Sequence, residues 1–138
     1  MKTFLSFAVI LFIGFGALAQ EKAEFKFEKE TIDYGKIVQN SNGVRVFEFV
    51  NIGKSPLVIT RVQASCGCTV PKKPEQPILP GEKGKIEVSY DTKRVGGFSK
   101  SITIFSNAKN ARKVIRIKGI VEKISAPEKK KSMMSDDS

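Results

Sequence analysis

Cys66 and Cys68, separated only by Gly67, are the residues of this sequence best equipped to do chemistry. On an extended chain the two sulfurs fall on one side with their Cα atoms about 6.6 Å apart, just inside the span of a disulfide. Glycine between them permits a tighter backbone. So short a loop removes little entropy from the unfolded chain, so stability alone is a poor reason for a bridge here. A strained, exposed bridge is readily reduced and exchanges with other thiols. As thiolates, Cys66 and Cys68 would instead be the metal ligands, offering Cu(I) the soft, low-coordinate site it accepts. A structural zinc would need two further ligands, and the chain has no third cysteine and no histidine. In a third reading the pair is two small apolar thiols packed under a loop, or an inert local bridge. The residues alone leave these readings open.

The rest of the inventory excludes more than it suggests. Without histidine there is no Ser-His-Asp triad, no imidazole base and no His-ligated metal. The redox spacing Cys-x-x-Cys is missing, and Met133-Met134 is too little to form a copper box. Glu48 and Glu87 read as alternating surface residues of strands, and Asp33 with Tyr34 as turn chemistry, so no carboxylate pair is set up for acid–base work. No catalytic residue and no cofactor are indicated. The expectation is a protein that is not an enzyme.

The elements that must hold the cysteines are strands. Helical periodicity is nearly absent, and short alternating runs are punctuated by Gly, Pro, Asn and Asp. Phe25 and Phe27 open one run, and Ile32 to Ile37 continues it past an acidic bend, as one or two edge strands. Val44 to Val50 sets Phe47 and Phe49 against Val44 and Val46, so both faces are partly apolar and the strand should be central. Leu57 to Val62 places Leu57 and Ile59 on one face and Val58, Thr60 and Val62 on the other. The chain then runs through Cys66-Gly67-Cys68 into Pro71, Pro74, Pro77 and Pro80, a stretch expected to be surface loop because proline cannot donate to a ladder. Beyond Leu79-Pro80-Gly81-Glu82, Ile86, Val88 and Tyr90 point inward, then Ile102 and Ile104 with Phe98 at the strand entrance, then Ile115, Ile117, Gly119 and Val121.

About seven short strands in roughly 100 residues describe an all-β, immunoglobulin-like β-sandwich. A small closed barrel is the alternative. Two cysteines two residues apart cannot form the inter-sheet bridge of an antibody domain, so the likeness is architectural.

The ends read differently. Of the 138 residues, the first nineteen carry Lys2, an apolar run from Phe4 to Leu18 and the small-residue site Ala17-Leu18-Ala19, the pattern of a secretory signal peptide cut before Gln20. Gln20 stands where a lipidated cysteine would, so the product should be periplasmic or secreted rather than lipid-anchored, with no transmembrane helix once the leader is removed. Residues 20–121 form the domain, and 122–138 form a polar tail with too little to bury, expected to be disordered. The net charge is +10, or +9 once Lys2 leaves with the leader, and the tail, with four lysines and four acidic residues, contributes none of it. Such a surface can attract anions, but export argues against nucleic acid, and scattered Lys and Arg are the ordinary solvated surface of a small sheet protein.

The ordered set Ile32-Asp33-Tyr34-Gly35-Lys36-Ile37, Phe47-Glu48-Phe49-Val50-Asn51-Ile52-Gly53, Pro56-Leu57-Val58-Ile59, Ser65-Cys66-Gly67-Cys68-Thr69-Val70-Pro71, Ile78-Leu79-Pro80-Gly81-Glu82 and Ile104-Phe105-Ser106-Asn107 resembles the bacterial family catalogued as domain of unknown function 1573. The Ser-Cys-Gly-Cys-Thr segment in that context is its specific part. Such domains are similar to immunoglobulin-like modules that include the major sperm protein and Hydin-type repeats. The resemblance implies that fold and an export habit, and carries over no catalytic residue. The expected function is an exported, non-enzymatic module that binds a protein or cell-envelope component. The alternative is a periplasmic thiol-redox or copper-handling protein acting through Cys66-Gly67-Cys68.

Overall fold

The alternating segments become strands in the computed structural model, which describes residues 21–125. The leader, residues 1–19, and the tail from 126 to 138 lie outside the described residues. Eight strands follow one another among the described residues: β1 (Phe25–Phe27), β2 (Thr31–Val38), β3 (Val44–Asn51), β4 (Ile59–Ala64), β5 (Thr69–Lys72), β6 (Lys83–Tyr90), β7 (Gly96–Ser106) and β8 (Arg112–Glu122). They form two sheets, ordered β1-β3-β6-β5 and β2-β8-β7-β4.

This is the pairing of an immunoglobulin sandwich whose first strand is divided between the sheets. β1 pairs antiparallel with β3, and after three residues the chain crosses over so that β2 runs parallel to β8. The additional strand is β5, in the stretch expected to be loop, and it raises the count from the expected seven to eight. β3 lies between β1 and β6, the central position expected, although it buries only the face of Phe47 and Phe49 and leaves Val46 40% exposed. The last strand reaches Glu122, which pairs with Val38, so the sheet takes one residue from the stretch assigned to the tail.

The core is the inward set of both sheets. Phe47 and Phe49 of β3 and Ile86 and Val88 of β6 meet Ile102 and Ile104 of β7 and Ile115 and Ile117 of β8, all essentially without solvent contact. Each such side chain contributes roughly 1.5–3 kcal/mol by leaving water. Among the described residues no helix is long and apolar enough to cross a membrane.

Four local expectations change. In β4 the register shifts between Ile59 and Arg61, so Thr60 forms a bulge and the alternation reverses after it. Val62, expected on the face opposite Ile59, therefore packs against the core. Pro71 lies in a strand, not a loop: β5 pairs Thr69 to Lys72 with Tyr90 to Glu87, and proline is tolerated because β5 is a sheet edge. Leu57 precedes β4 and bridges Ile78, with N···O distances of 2.8 and 2.9 Å in the two directions.

Tyr34 is a core residue and not part of a turn. β2 bulges between Asp33 and Lys36 with Gly35 at φ 64°, a left-handed conformation that glycine adopts without a Cβ penalty. Asp33 does supply turn chemistry there, its Oδ1 accepting from Gly35 N at 2.8 Å. The bulge turns Tyr34 inward, edge-on to Phe98 at 5.2 Å, with the Arg45 guanidinium 4.2 Å from its ring centre. Its hydroxyl donates to the Gly43 carbonyl at 2.8 Å. Burial pushes the Tyr34 phenol up to about 12, and Arg45 opposes part of that rise.

Candidate functional site

The cysteine segment joins the two sheets. β4 is an edge of one sheet and β5 an edge of the other, so residues 65–68 cross between them at one side of the sandwich. Both ends of the crossing are pinned by backbone. Ser65 N donates to Ser101 O at 2.9 Å, and Ser65 Oγ accepts from Ser101 N at 3.2 Å. Cys68 O accepts from Asp91 N at 2.9 Å, and Thr69 N closes a turn onto Cys66 O at 3.4 Å.

Within that turn Cys66 and Cys68 form a disulfide, their Cα atoms 5.4 Å apart. The turn brings the Cα atoms closer than the extended-chain figure, into the common range for bridged cysteines. The two sulfurs are not equivalent. Cys68 is 5% exposed and belongs to the core cluster, whereas Cys66 is only partly buried against it. Gly67 turns its open side to solvent, with no heavy atom within 4 Å of where a Cβ would stand. Thr69, itself 3% exposed, places its hydroxyl 3.9 Å from Cys66 Sγ and 3.8 Å from Cys68 Sγ. Its hydrogen-bonding partners among the described residues are those two sulfurs. Sequence reasoning quoted Thr69 in the cysteine motif and gave it no role; the signal was its place next to Cys68. Copper(I) coordination needs both sulfurs as thiolates and so belongs to the reduced protein. Among the described residues no group of three or more His, Cys, Asp or Glu side chains is placed to hold a metal ion.

A second feature lies at the opposite side of the sandwich. β1 covers only Phe49 to Asn51 of β3, leaving Val44 to Glu48 without a strand on that side. Even-numbered residues of β3 direct their backbone groups there: Glu48 O accepts from Glu28 N at 3.1 Å, and Ile52 N donates to Glu24 O at 3.0 Å. Val44 N is occupied by Asn42 Oδ1 at 2.9 Å and Val44 O by Arg45 Nη1 at 2.8 Å. Val46, 40% exposed, thus presents an N–H and a C=O that no backbone group among the described residues meets on that side. Beside it opens a groove of about 560 Å³ lined by Glu28, Lys29, Thr31, Ile32, Asp33 and the β3 segment from Val46 to Glu48. This edge was not legible from alternation, because the pattern of β3 says that it is central and not how far its neighbour extends.

At its base the β1–β3 pair is held by Asn51, which has no solvent exposure. Its Nδ2 donates to Ser55 O at 2.8 Å and Ile78 O at 2.9 Å, and its Oδ1 accepts from Gly53 N at 3.0 Å and Glu24 N at 3.3 Å. One amide thereby ties β1, the turn after β3 and the loop before β6.

Comparison with solved structures places this architecture among known sandwiches. A protein of unknown function from Porphyromonas gingivalis W83 is similar with a TM-score of 0.65 and 18% identity, over 78% of this chain and 51% of that one. The chain thus spans about half the length of that structure. PapD-like domain 7 of human CEP192 is similar with a TM-score of 0.57 and 6% identity, over 75% of this chain and 89% of that one. A chain of the CsuC-CsuE chaperone–tip adhesion subunit pre-assembly complex of Acinetobacter baumannii is similar with a TM-score of 0.52 and 15% identity, over 72% of this chain and 58% of that one. At these identities the likeness is one of fold, and it bears out the expected immunoglobulin-type sandwich. No curated protein matches the sequence. The family described as "Protein of unknown function (DUF1573)" matches residues 25–121, the whole span from β1 to the end of the sandwich core, and the chain belongs to that family.

Proposed function

We propose that this chain is an exported, non-enzymatic immunoglobulin-like module that binds a protein or cell-envelope component along the bare edge of β3. The observation that carries the reading is Val46, whose backbone donor and acceptor face outward beside a groove of about 560 Å³. An edge of this kind is a template for an added strand, in which main-chain hydrogen bonds supply affinity and alternate side chains supply selectivity. Export to the periplasm or beyond rests on the leader pattern of residues 1–19. The Acinetobacter chain of similar fold occurs in a complex with another protein, which supports partner binding as a use of such a sandwich.

The test is Val46→Pro. Its N–H lies outside the β3–β6 ladder, so proline removes the outward donor and leaves that ladder intact. Wild type and V46P are used as bait with a solubilised envelope fraction, with far-UV circular dichroism to confirm the fold. The expected result is a partner retained by wild type and lost at least about tenfold by V46P, the equivalent of one charge-neutral hydrogen bond and its neighbour's alignment. Equal capture by both proteins would overturn the edge as the site. Capture of nothing, together with turnover of a substrate by the purified protein, would overturn the binding reading altogether.

A further inference from the structure

The turn that carries the disulfide is built asymmetrically, and the asymmetry has a chemical meaning. Attack by a thiolate on a disulfide requires access to one sulfur and departure of the other. Cys66 is the more exposed of the two residues, next to the open side of Gly67, and Cys68 belongs to the core. The buried Thr69 hydroxyl lies within reach of both sulfurs, 3.8 Å from Cys68 Sγ and 3.9 Å from Cys66 Sγ, so it can donate to whichever becomes the thiolate, and burial decides which one that is. A hydroxyl donates more strongly to a thiolate than to a neutral sulfur, so Thr69 favours the charge that develops on the leaving atom. The backbone anchors of Ser65 and Cys68 are Ser101 of β7 and Asp91, the residue just after β6, so the turn keeps its place when the bridge opens.

We propose that Cys66–Cys68 is a thiol–disulfide exchange site for dithiols, with Cys66 as the sulfur attacked, Cys68 as the leaving thiolate and Thr69 as the residue that positions a donor for it. A thiolate of the incoming dithiol bonds to Cys66 Sγ as the Cys66–Cys68 bond breaks. The electron pair stays on Cys68 Sγ, which takes up the proton given up by the attacking thiol. The second thiol of the reagent then attacks its own sulfur in the mixed disulfide and releases Cys66. Two electrons and two protons pass to the protein, and the reagent departs as a disulfide. Reversal of the same steps oxidises the pair. This activity is independent of binding at the β3 edge.

Dithiothreitol and oxidised glutathione are the probes, used on the full chain. Dithiothreitol is expected to open the wild-type bridge while the circular dichroism of the sheets persists. A bridge that resists until the protein unfolds overturns the proposal. With oxidised glutathione, Cys68→Ser is expected to form a mixed disulfide at least about tenfold faster than Cys66→Ser, because its remaining thiol is the accessible one. Equal or reversed rates overturn the assignment. Should either variant fail to fold, partial alkylation of the reduced wild type followed by peptide mapping reads the same order: Cys66 labelled first supports it, and Cys68 labelled first or equal labelling overturns it. Thr69→Val is expected to slow opening by dithiothreitol about tenfold and Thr69→Ser to restore it. A Ser variant as slow as the Val variant would overturn the part given to the hydroxyl.

Discussion

Asn51→Asp changes one buried nitrogen to oxygen, and the structure says what that costs. In the wild type Nδ2 donates to two carbonyls, Ser55 O and Ile78 O, while Oδ1 accepts two N–H groups. Aspartate keeps the two acceptor bonds and turns its other oxygen against two carbonyl oxygens. Two hydrogen bonds are lost, at about 1 kcal/mol each. A carboxylate in a position with no solvent exposure adds a desolvation cost of a few kcal/mol, only partly offset by the two N–H donors. A total near 4 kcal/mol at pH 7 is expected, a large share of the roughly 5–15 kcal/mol that holds such a domain together. The melting temperature should fall by about 15–30 °C. The sign with pH follows from burial, which raises the folded-state pKa of the new carboxyl above its unfolded value of about 3.9. Protonated below that value, the group can donate to one of the two carbonyls, so the penalty shrinks to about 1–2 kcal/mol and grows again as pH rises through the folded pKa. Asn51→Ala, which loses all four bonds and adds no charge, should cost about 3–4 kcal/mol with little dependence on pH. Urea unfolding followed by circular dichroism between pH 3.5 and 8 measures all three proteins. An N51D penalty under 1 kcal/mol at pH 7, or one that stays constant into acid, would refute the reasoning.

Gly119→Ala should cost about 2–3 kcal/mol, because the added Cβ would stand 2.8 Å from Tyr34 Cβ and 3.0 Å from Phe98 Cζ; a change under 0.5 kcal/mol in denaturant unfolding would show that β2 moves aside freely. Tyr34 should ionise late, near 12, in an absorbance titration, and Tyr34→Phe should remove that late step at a cost of about 1 kcal/mol, since Gly43 O keeps its bond from Tyr90 N. Because the folded pKa lies above the unfolded value near 10, the stabilisation from the phenol is complete below pH 10 and disappears as pH climbs through 12, so loss of the Tyr34 step already at pH 10 would contradict its burial.

Period-two alternation carried most of the architecture because each of β3, β6 and β8 buries one face only, and a strand of that kind writes its inward set into every second residue. Phe47 with Phe49, Ile86 with Val88, and Ile115 with Ile117 were all legible for this reason. Alternation failed where the backbone departs from it. The bulge at Thr60 moves Val62 to the inward face, and nothing in a run of β-branched residues marks which one will be unpaired. Tyr34 went the same way, since the bulge that buries it depends on Gly35 and on space left by Gly119 on a strand more than eighty residues later. Pro71 was read as loop because proline lacks a donor, but an edge strand needs only one of its two sides to bond. At the cysteine turn the residues indicated the bridge as one of several states. The difference between the two sulfurs is a tertiary fact, set by which of them the core encloses.

The parallel pairing of β2 with β8 bears on how the molecule resists being stretched. The chain enters that pair at the start of β2 and leaves it at the end of β8, so tension applied along the polypeptide pulls the two strands lengthwise in opposite directions. Six residue pairs, from Thr31 with Arg116 to Val38 with Glu122, then share the strain together instead of peeling apart one by one.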